Sequence, residues 1–311
     1  MLSEWLDRGI DAFTRLFPPL TFFSLPWNVR GTLAVLLVSL VCGAVGSLVV
    51  GNRMAFFSDA LAHCAFAGVA LGFLLALGFG AHDPAAFSHW VTPVMVAFGV
   101  VVGLSIAYVR ERTSLANDTV IGVFFAGAIG LGAVLLKFVS RKRYFNPENF
   151  LFGEPLTVSS LDLIYLFFLG LVTAGLLAWM YNDLVFTSFN PSLARSRKVR
   201  LRLCNFTFIV LLALIVNLCL QTVGALLING MLIVPAATAA NVCRNMRQLF
   251  WCTVGLCLLV GVAGLWLSWT LTLGDPSGEF SFGVGGIVVV LSVVLFFLSM
   301  WLGPLVRGRS R

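Results

Sequence analysis

Residues 56–79 read FFSDALAHCAFAGVALGFLLALGF, an apolar run that carries two ionisable side chains near its start. About twenty apolar residues are enough for a helix to cross the hydrocarbon core of a bilayer. Asp59 and His63 stand four residues apart, so on a helix their side chains share one face, one turn apart. Ionisable groups inside a membrane segment are costly, and they therefore indicate a functional site by default.

The four-residue spacing of Asp59 and His63 is compatible with two interpretations. A carboxylate and an imidazole on one helix face can together offer oxygen and nitrogen to a divalent metal. Alternatively, Ser58 and Asp59 cap the start of the helix while His63 hydrogen-bonds a neighbouring helix. A turn of about 100° per residue places Phe66 within about 20° of Asp59 and Cys64 about 140° away. We therefore predict one face with Asp59, His63 and Phe66, and we exclude Cys64 as a ligand.

The composition of the whole chain is typical of a membrane protein. Of its 311 residues, 59% are hydrophobic and 11% are charged, whereas a soluble globular chain has about a quarter charged residues. The long apolar runs suit helices better than the alternating strands of a membrane barrel. We predict an all-α polytopic integral membrane protein. The seven cysteines form no C-x-x-C pair, so we interpret them as small apolar residues.

Apolar runs divide the chain into about nine predicted transmembrane helices. The run from 205 to 240 is too long for one crossing and has basic flanks, so we expect a hairpin that turns at 221–224; without a full hairpin the count is eight. Residues 1–30 form an amphipathic N-terminal extension, 31–303 the transmembrane domain and 304–311 a basic tail. The other predicted spans are about 32–50, 56–79, 91–109, 119–139, 161–181, 250–271 and 283–303.

Basic clusters between the spans predict their orientation. The excess of Lys and Arg places the C-terminal tail in the cytoplasm and the N-terminus outside, although residues 141–143, read RKR, then lie outside. Three pairs of small residues, each spaced one turn apart, predict close approach of neighbouring helices. They are Gly68/Gly72, Gly99/Gly103 and Ala126/Gly130.

The sequence lacks a catalytic set. It has no H-E-x-x-H, no G-x-S-x-G and no G-x-x-x-x-G-K-[ST] motif, so we expect neither a metalloprotease, a serine hydrolase nor a phosphate-loop ATPase. A catalytic zinc usually has three protein ligands, whereas the predicted spans contain one histidine, His63. His82 and His89 fall with Asp83 in a predicted external loop, which is either a transient metal stop or a solvated loop, and we favour the solvated loop. We predict a transport protein and not an enzyme, with no nucleic-acid partner and with any ATP hydrolysis on a separate subunit.

Four blocks of the sequence resemble, in order, the motifs of the permease family of metal-ion ATP-binding cassette (ABC) importers. The resemblance covers about residues 31–303. It implies a permease of the bacterial plasma membrane that dimerises with a second copy or a paralogue. It also implies an ATP-binding subunit on the cytoplasmic side and an extracellular metal-binding protein. The blocks are GSLVVGNRMAFFSDALAH (46–63), NDTVIG (117–122), NFLFGEPL (149–156), and VGALL (223–227) followed by LIVPAATA (232–239).

The resemblance also implies roles for individual residues. Asp59 and His63 match the family's Asp-x-x-x-His pair, which faces the metal path. Phe66, on the same predicted face, is a further candidate to line this path. Asn217 and Gln221 are polar side chains inside the predicted hairpin, and either path lining or interhelical hydrogen bonding accounts for them. Residues near 190–199 take the place of the family's cytoplasmic coupling segment. Those expected to dock on the ATPase are Pro191, Ser192, Leu193, Ala194, Arg195, Ser196 and Arg197.

The predicted function is therefore that of a permease subunit of an ABC importer for a divalent metal ion. We expect no permanently bound cofactor. The transported ion is zinc or manganese, since imidazole suits zinc and carboxylate suits manganese, with iron also open. Two alternatives remain: an ion-coupled secondary carrier that uses the same pair, and an ATP-driven permease for a chelated metal of the siderophore or cobalamin type.

Overall fold

The computed structural model describes residues 2–18, 21–79, 84–139, 155–189, 201–273 and 283–308. Within these ranges the regular elements are ten α-helices and two short 3-10 turns, without any strand. The 3-10 turns are Phe22–Ser24 and Pro155–Thr157. The helices are α1 (Leu2–Thr14), α2 (Pro26–Gly51), α3 (Ala55–Gly78), α4 (Pro84–Arg112), α5 (Asn117–Val139), α6 (Ser160–Phe189), α7 (Leu201–Val223), α8 (Ala225–Val242), α9 (Met246–Leu273) and α10 (Val284–Gly308).

Nine of the described helices, α2 to α10, are long and apolar enough to cross a membrane. The predicted all-α polytopic fold is therefore confirmed. The hairpin in the run from 205 to 240 is present, because α7 ends at Val223 and α8 begins at Ala225. Gly224 between them has a φ of 84° and a ψ of 160°, a conformation that is essentially restricted to glycine. In the part of the chain that the structure describes, the count is thus nine and not eight.

Several helices are longer than the apolar runs that predict them. Proline stands at the first position of α2 and of α4, so these helices start at Pro26 and Pro84 rather than near 32 and 91. Proline suits this position because the first N–H groups of a helix have no intrahelical acceptor. At the other end, α4 continues through Arg110 and Arg112, whose charges interact favourably with the helix C-terminus.

The chain divides into two compact units. The first comprises Met1–Val50, Glu148–Leu177 and Cys219–Arg311, and the second comprises Gly51–Pro147 and Ala178–Leu218. Helices α6 and α7 each contribute residues to both units.

In the first unit, α8, α9 and α10 pack against one another through small residues. A Cβ on Gly230 of α8 would lie 2.5 Å from Cγ2 of Val289, and one on Gly264 of α9 would overlap Val288. Both valines belong to α10. Close approach of helix backbones at small residues is the usual way in which membrane helices associate.

The amphipathic helix α1 packs on the first unit through one face. Ile10 on this face is buried, whereas Trp5 is 72% exposed. The carboxylate of Asp7 accepts a hydrogen bond from the Arg30 guanidinium of α2 at 2.6 Å and another from the Ser160 hydroxyl of α6. Asp7 therefore joins α1 to two membrane-spanning helices.

In the second unit, α3 packs against both α4 and α5. A Cβ on Gly68 would lie 3.0 Å from Cα of Met95, and one on Gly72 would lie 2.9 Å from Cα of Val91. A substituent at either glycine would therefore push α3 and α4 apart. The close approach predicted for this pair of glycines is confirmed.

The other two pairs of small residues behave differently. Gly99 and Gly103 of α4 lie against α7, and a Cβ on Gly99 would be 2.7 Å from Cγ of Asn217, so this predicted contact is confirmed. For Gly130 the Cβ position has no other heavy atom within 4 Å among the described residues. The packing role predicted for its pair is therefore wrong within the described chain. The reason is one of helix phase, since α5 approaches α3 through Gly132 instead.

Candidate functional site

The candidate site begins at the N-terminal end of α3. The helix starts at Ala55 after the N-cap residue Met54, which makes no side-chain capping bond. The N–H of Phe57 already bonds the Met54 carbonyl at 3.0 Å, and the Ser58 hydroxyl donates to the Ala55 carbonyl at 3.0 Å. Ser58 and Asp59 thus lie inside the helix. The interpretation of Ser58 and Asp59 as helix caps is wrong, because the helix already begins at Ala55, about one turn before them.

Asp59 and His63 meet across one turn of α3. Nδ1 of His63 lies 2.9 Å from the backbone carbonyl oxygen of Asp59 and 3.6 Å from its carboxylate Oδ1. A carbonyl oxygen only accepts hydrogen bonds, so Nδ1 carries the proton and donates it. In the neutral ring Nε2 then keeps its lone pair and is the nitrogen that can bind a metal. This hydrogen bond of His63 stays within its own helix and does not reach a neighbouring one.

The pair lies on an open face of a helix that is otherwise well buried. The Asp59 side chain is 41% exposed and that of His63 is 29% exposed, while Cys64 is fully buried on another side of α3. A carboxylate on a membrane-spanning helix is costly next to lipid, so such groups face a bundle interior or a water-filled cavity. The open face of Asp59 and His63 therefore needs a polar neighbour.

Two aromatic rings flank the imidazole of His63. The ring of Phe66 on α3 lies 6.2 Å away between centroids, tilted by 48°. The ring of Phe125 on α5 is closer, at 4.9 Å, and its plane makes an angle of 66° with the imidazole. Phe125 was not singled out from the sequence. Phe125 and Gly132 are seven residues apart, so their spacing predicts that they share one side of α5. The structure shows that this side faces α3 at Gly132, but the sequence does not tell which helix lies opposite.

The donor set is small. Among the residues that the structure describes, no group of three or more His, Cys, Asp and Glu side chains could hold a metal ion. The predicted metal pair Asp59 and His63 would supply two ligands, and water or another chain would have to complete the coordination of a divalent ion. The Asp59 Oδ1 lies towards Nδ1 of His63, so its carboxylate has to turn before it shares an ion with Nε2.

The amides predicted to line a path lie in different surroundings. Asn217 is fully buried and donates from Nδ2 to the Ala213 carbonyl at 2.7 Å, within α7. Its Oδ1 is buried and has no hydrogen-bond donor among the described residues. Gln221 is exposed in the last turn of α7. Path lining stays a prediction for both. The coupling residues Pro191 to Arg197 lie outside the described residues, and so do His82 and the side chain of His89.

Polar contacts also link the ends of α3, α4 and α7 in the second unit. The Arg110 guanidinium of α4 contacts Sδ of Met54 at 3.4 Å. The neighbouring Glu111 forms an ion pair with Arg202 of α7, with 3.4 Å between its Oε2 and Nε of Arg202. Arg202 is the second residue after the undescribed range 190–200, which contains the predicted coupling segment. The first contact joins α4 to the start of α3, and the second joins α4 to the start of α7.

The sequence of the chain is similar to that of known proteins. Residues 25–303 match the model of the ABC 3 transport family. The chain is 28% identical over 306 residues to the manganese import system permease protein ScaB of Streptococcus parasanguinis, covering 98% of this chain and 96% of that protein. It is 28% identical over 268 residues to the high-affinity zinc uptake system membrane protein ZnuB of Haemophilus influenzae, covering 86% and 94%.

A solved structure has a similar fold. A chain of PsaBC from Streptococcus pneumoniae in complex with Fab superposes with a TM-score of 0.73, over 96% of this chain and 97% of that chain. The two sequences are 24% identical. At this identity the likeness shows the fold alone.

Proposed function

Because the chain belongs to the ABC 3 transport family, we propose that it is the membrane-spanning permease subunit of an ABC importer for a divalent metal ion. It is a multi-pass protein of the plasma membrane, with nine candidate spans among its described residues. The relatives named above are permeases or membrane proteins of manganese import and zinc uptake systems. Zinc and manganese are therefore the favoured ions, and iron is the third candidate.

The observation that carries this proposal is the open face of Asp59 and His63. An acid and an imidazole stand one turn apart in a membrane-spanning helix, and both are partly exposed. The hydrogen bond to the Asp59 carbonyl keeps Nδ1 occupied and leaves Nε2 for a metal. A carboxylate oxygen and an imidazole nitrogen are ligands that manganese and zinc both accept.

A second permease copy, or a paralogue, completes the site in this proposal. Two-fold symmetric association presents the same surface patch from both subunits. If the face of Asp59 and His63 lies at such an interface, two carboxylates and two imidazoles meet around one path. The open face would then contact protein or water rather than lipid, which accounts for its polar side chains. The ion would meet up to four ligands in passing and leave them as the interface rearranges.

Two further partners belong to the proposal. The sequence contains no phosphate-loop motif, so a separate ATP-binding subunit would supply the energy at the cytoplasmic face. Residues 190–199, with Pro191 to Arg197 at their centre, are proposed to dock on it, within a permease domain of residues 31–303. The basic residues 304–311 would remain on the same side. An extracellular metal-binding protein would deliver the ion, and no cofactor would stay bound.

The test is metal uptake by the whole complex in proteoliposomes. Asp59→Asn and His63→Gln remove a ligand while they keep the size of the side chain. We expect the initial uptake rate to fall by at least about 10-fold in each variant, with assembly and basal ATP hydrolysis retained. Cys64→Ala is the matched control, because this neighbour is buried on another side of α3. Uptake at the parental rate in both ligand variants would contradict the proposal.

Two further measurements separate the alternatives. If the chain works in an ATP-driven importer, uptake stops when the ATP-binding subunit can no longer hydrolyse ATP. Continued uptake in that experiment would instead indicate an ion-coupled carrier. Uptake of a metal chelate but not of the free ion would indicate a permease for chelated metals.

A further inference from the structure

Phe125 has a contact that the metal pair itself does not explain. Its ring meets the imidazole of His63 at 4.9 Å between centroids, with an angle of 66° between the planes. Aromatic rings prefer such edge-to-face contacts over face-to-face stacking. Phe66, on the same helix as His63, lies farther away at 6.2 Å. Of these two rings, Phe125 is thus the one that most closely restricts rotation of the imidazole out of its plane.

The packing of α5 on α3 holds Phe125 in place. Two turns beyond Phe125, a Cβ on Gly132 would lie 3.4 Å from the backbone N of Ala67, which is one turn beyond His63. Ala128, one turn from Phe125 on the same side of α5, is 6% exposed. The close approach at Gly132 thus holds the backbone of α5 beside α3 within two turns of Phe125.

Two contacts together determine the orientation of the imidazole. The ring of Phe125 restricts rotation of the imidazole out of its plane, but a half-turn flip would keep this plane and would exchange Nδ1 for a carbon. The hydrogen bond from Nδ1 to the Asp59 carbonyl distinguishes the two flipped forms, because only a nitrogen can donate it. The plane and the flip together place the proton on Nδ1 and leave the lone pair on Nε2.

We propose that Phe125 is a positioning residue for metal transfer, which holds the His63 imidazole in the Nδ1-protonated form that presents Nε2 to the ion. This inference deepens the proposed function and rests on it. Phe125 itself does not bind the ion and acts through His63. A leucine at position 125 would fill much of the same space without a ring. The imidazole would then leave its plane, lose the hydrogen bond to Asp59 and carry its proton partly on Nε2, where the proton blocks the metal.

The first test reads the tautomer of His63 directly. The chain has only three histidines, so magic-angle-spinning NMR of the full-length chain in nanodiscs, with isotopically labelled histidine, resolves each imidazole. The pH is set to about 8, where free imidazole is neutral. His63→Gln assigns the signals of His63. We expect the proton on Nδ1 in the parent and in Phe125→Tyr, and a shift of the proton towards Nε2 in Phe125→Leu. Phe124→Leu, the same change one position earlier, should match the parent.

The second test measures zinc and manganese uptake by the same variants in the complete complex. We expect Phe125→Leu to lower the initial rate by about 10-fold, the smaller effect usually seen when a group that orients a metal-binding histidine is lost. Phe125→Tyr should retain the parental rate, and Phe124→Leu should do so as well. A loss of uptake with an unchanged tautomer would overturn the proposal, and so would a changed tautomer with unchanged uptake.

Variants of the metal pair test the proposed function, and variants of Phe125 test this inference, so the two can fail separately. If Asp59→Asn and His63→Gln transport metal at the parental rate, the pair is not the metal site and the proposed function fails. The NMR comparison does not depend on transport, since it reports the imidazole of the isolated chain. If the pair is essential but Phe125→Leu leaves both the tautomer and the uptake rate unchanged, only the role of Phe125 is refuted.

Discussion

Replacement of Gly99 by alanine tests a close contact between α4 and α7. The new Cβ would lie 2.7 Å from Cγ and 2.8 Å from Oδ1 of Asn217, well inside van der Waals distance. Asn217 cannot turn away freely, because it is fully buried and its Nδ2 donates to the Ala213 carbonyl. We therefore expect Gly99→Ala to destabilise the folded chain.

The size of this effect follows from three contributions. Forcing an extra methyl group into a packed interface costs about 1–3 kcal/mol. Displacement of the Asn217 amide from its carbonyl partner costs a further 0.5–1.5 kcal/mol or so. Alanine is the better helix former and regains about 1 kcal/mol over glycine. The expected net loss in the free energy of unfolding is therefore about 2 kcal/mol.

Reversible unfolding in mixed micelles, with SDS as the denaturant and circular dichroism as the signal, measures this loss. Gly122→Ala on α5 is the matched control, because its Cβ position meets no described heavy atom within 4 Å. It should be neutral or stabilised by up to about 1 kcal/mol. Asn217→Ala should restore most of the stability of Gly99→Ala, since it removes the atoms that clash. A parental stability for Gly99→Ala, or strictly additive effects in the double variant, would refute the steric argument.

Three further changes have defined outcomes. Gly224→Ala should cost about 1–3 kcal/mol in the same titration, since the hairpin needs a φ of 84° at this position; an unchanged midpoint would contradict this. Glu111→Gln should change stability by less than about 1 kcal/mol, because its partner Arg202 is 86% exposed; a larger loss would show a stronger link between α4 and α7. Asp7→Leu removes the acceptor of Arg30, so amide hydrogen exchange in α1 should become faster than in the parent, and unchanged exchange would show that apolar contacts alone hold the helix.

Hydropathy is sufficient to predict the number and order of the membrane helices, because each crossing needs about twenty apolar residues. The hairpin at Gly224 follows from the same argument, since residues 205–240 exceed the length of one crossing. The ends of the helices do not follow from it. Backbone hydrogen bonding continues α4 through Arg112 and starts α2 at Pro26, and hydropathy does not report where hydrogen bonding stops.

In the candidate site, contacts within one helix could be predicted from the sequence, and contacts between helices could not. Asp59 and His63 lie on one helix, so their spacing alone predicts that they meet, and the structure places them together. Phe125 belongs to another helix, and the sequence does not tell that α5 lies against α3 at this height. The same limit applies to Asn217, whose burial against Gly99 depends on the partner and phase of α7. Contacts between helices require the packed structure.

Arg53, in the turn between α2 and α3, has a backbone conformation that favours glycine and a position that favours a cation. Arg53 has a φ of 54°, a left-handed conformation that costs a residue with a side chain about 1–2 kcal/mol. Glycine would relax the backbone here, but it carries no charge. In the predicted orientation Arg53 is one of the cytoplasmic cations that set the direction in which the nascent helices enter the membrane. In that predicted orientation, the residue that favours correct membrane insertion and the residue that favours equilibrium stability differ at position 53.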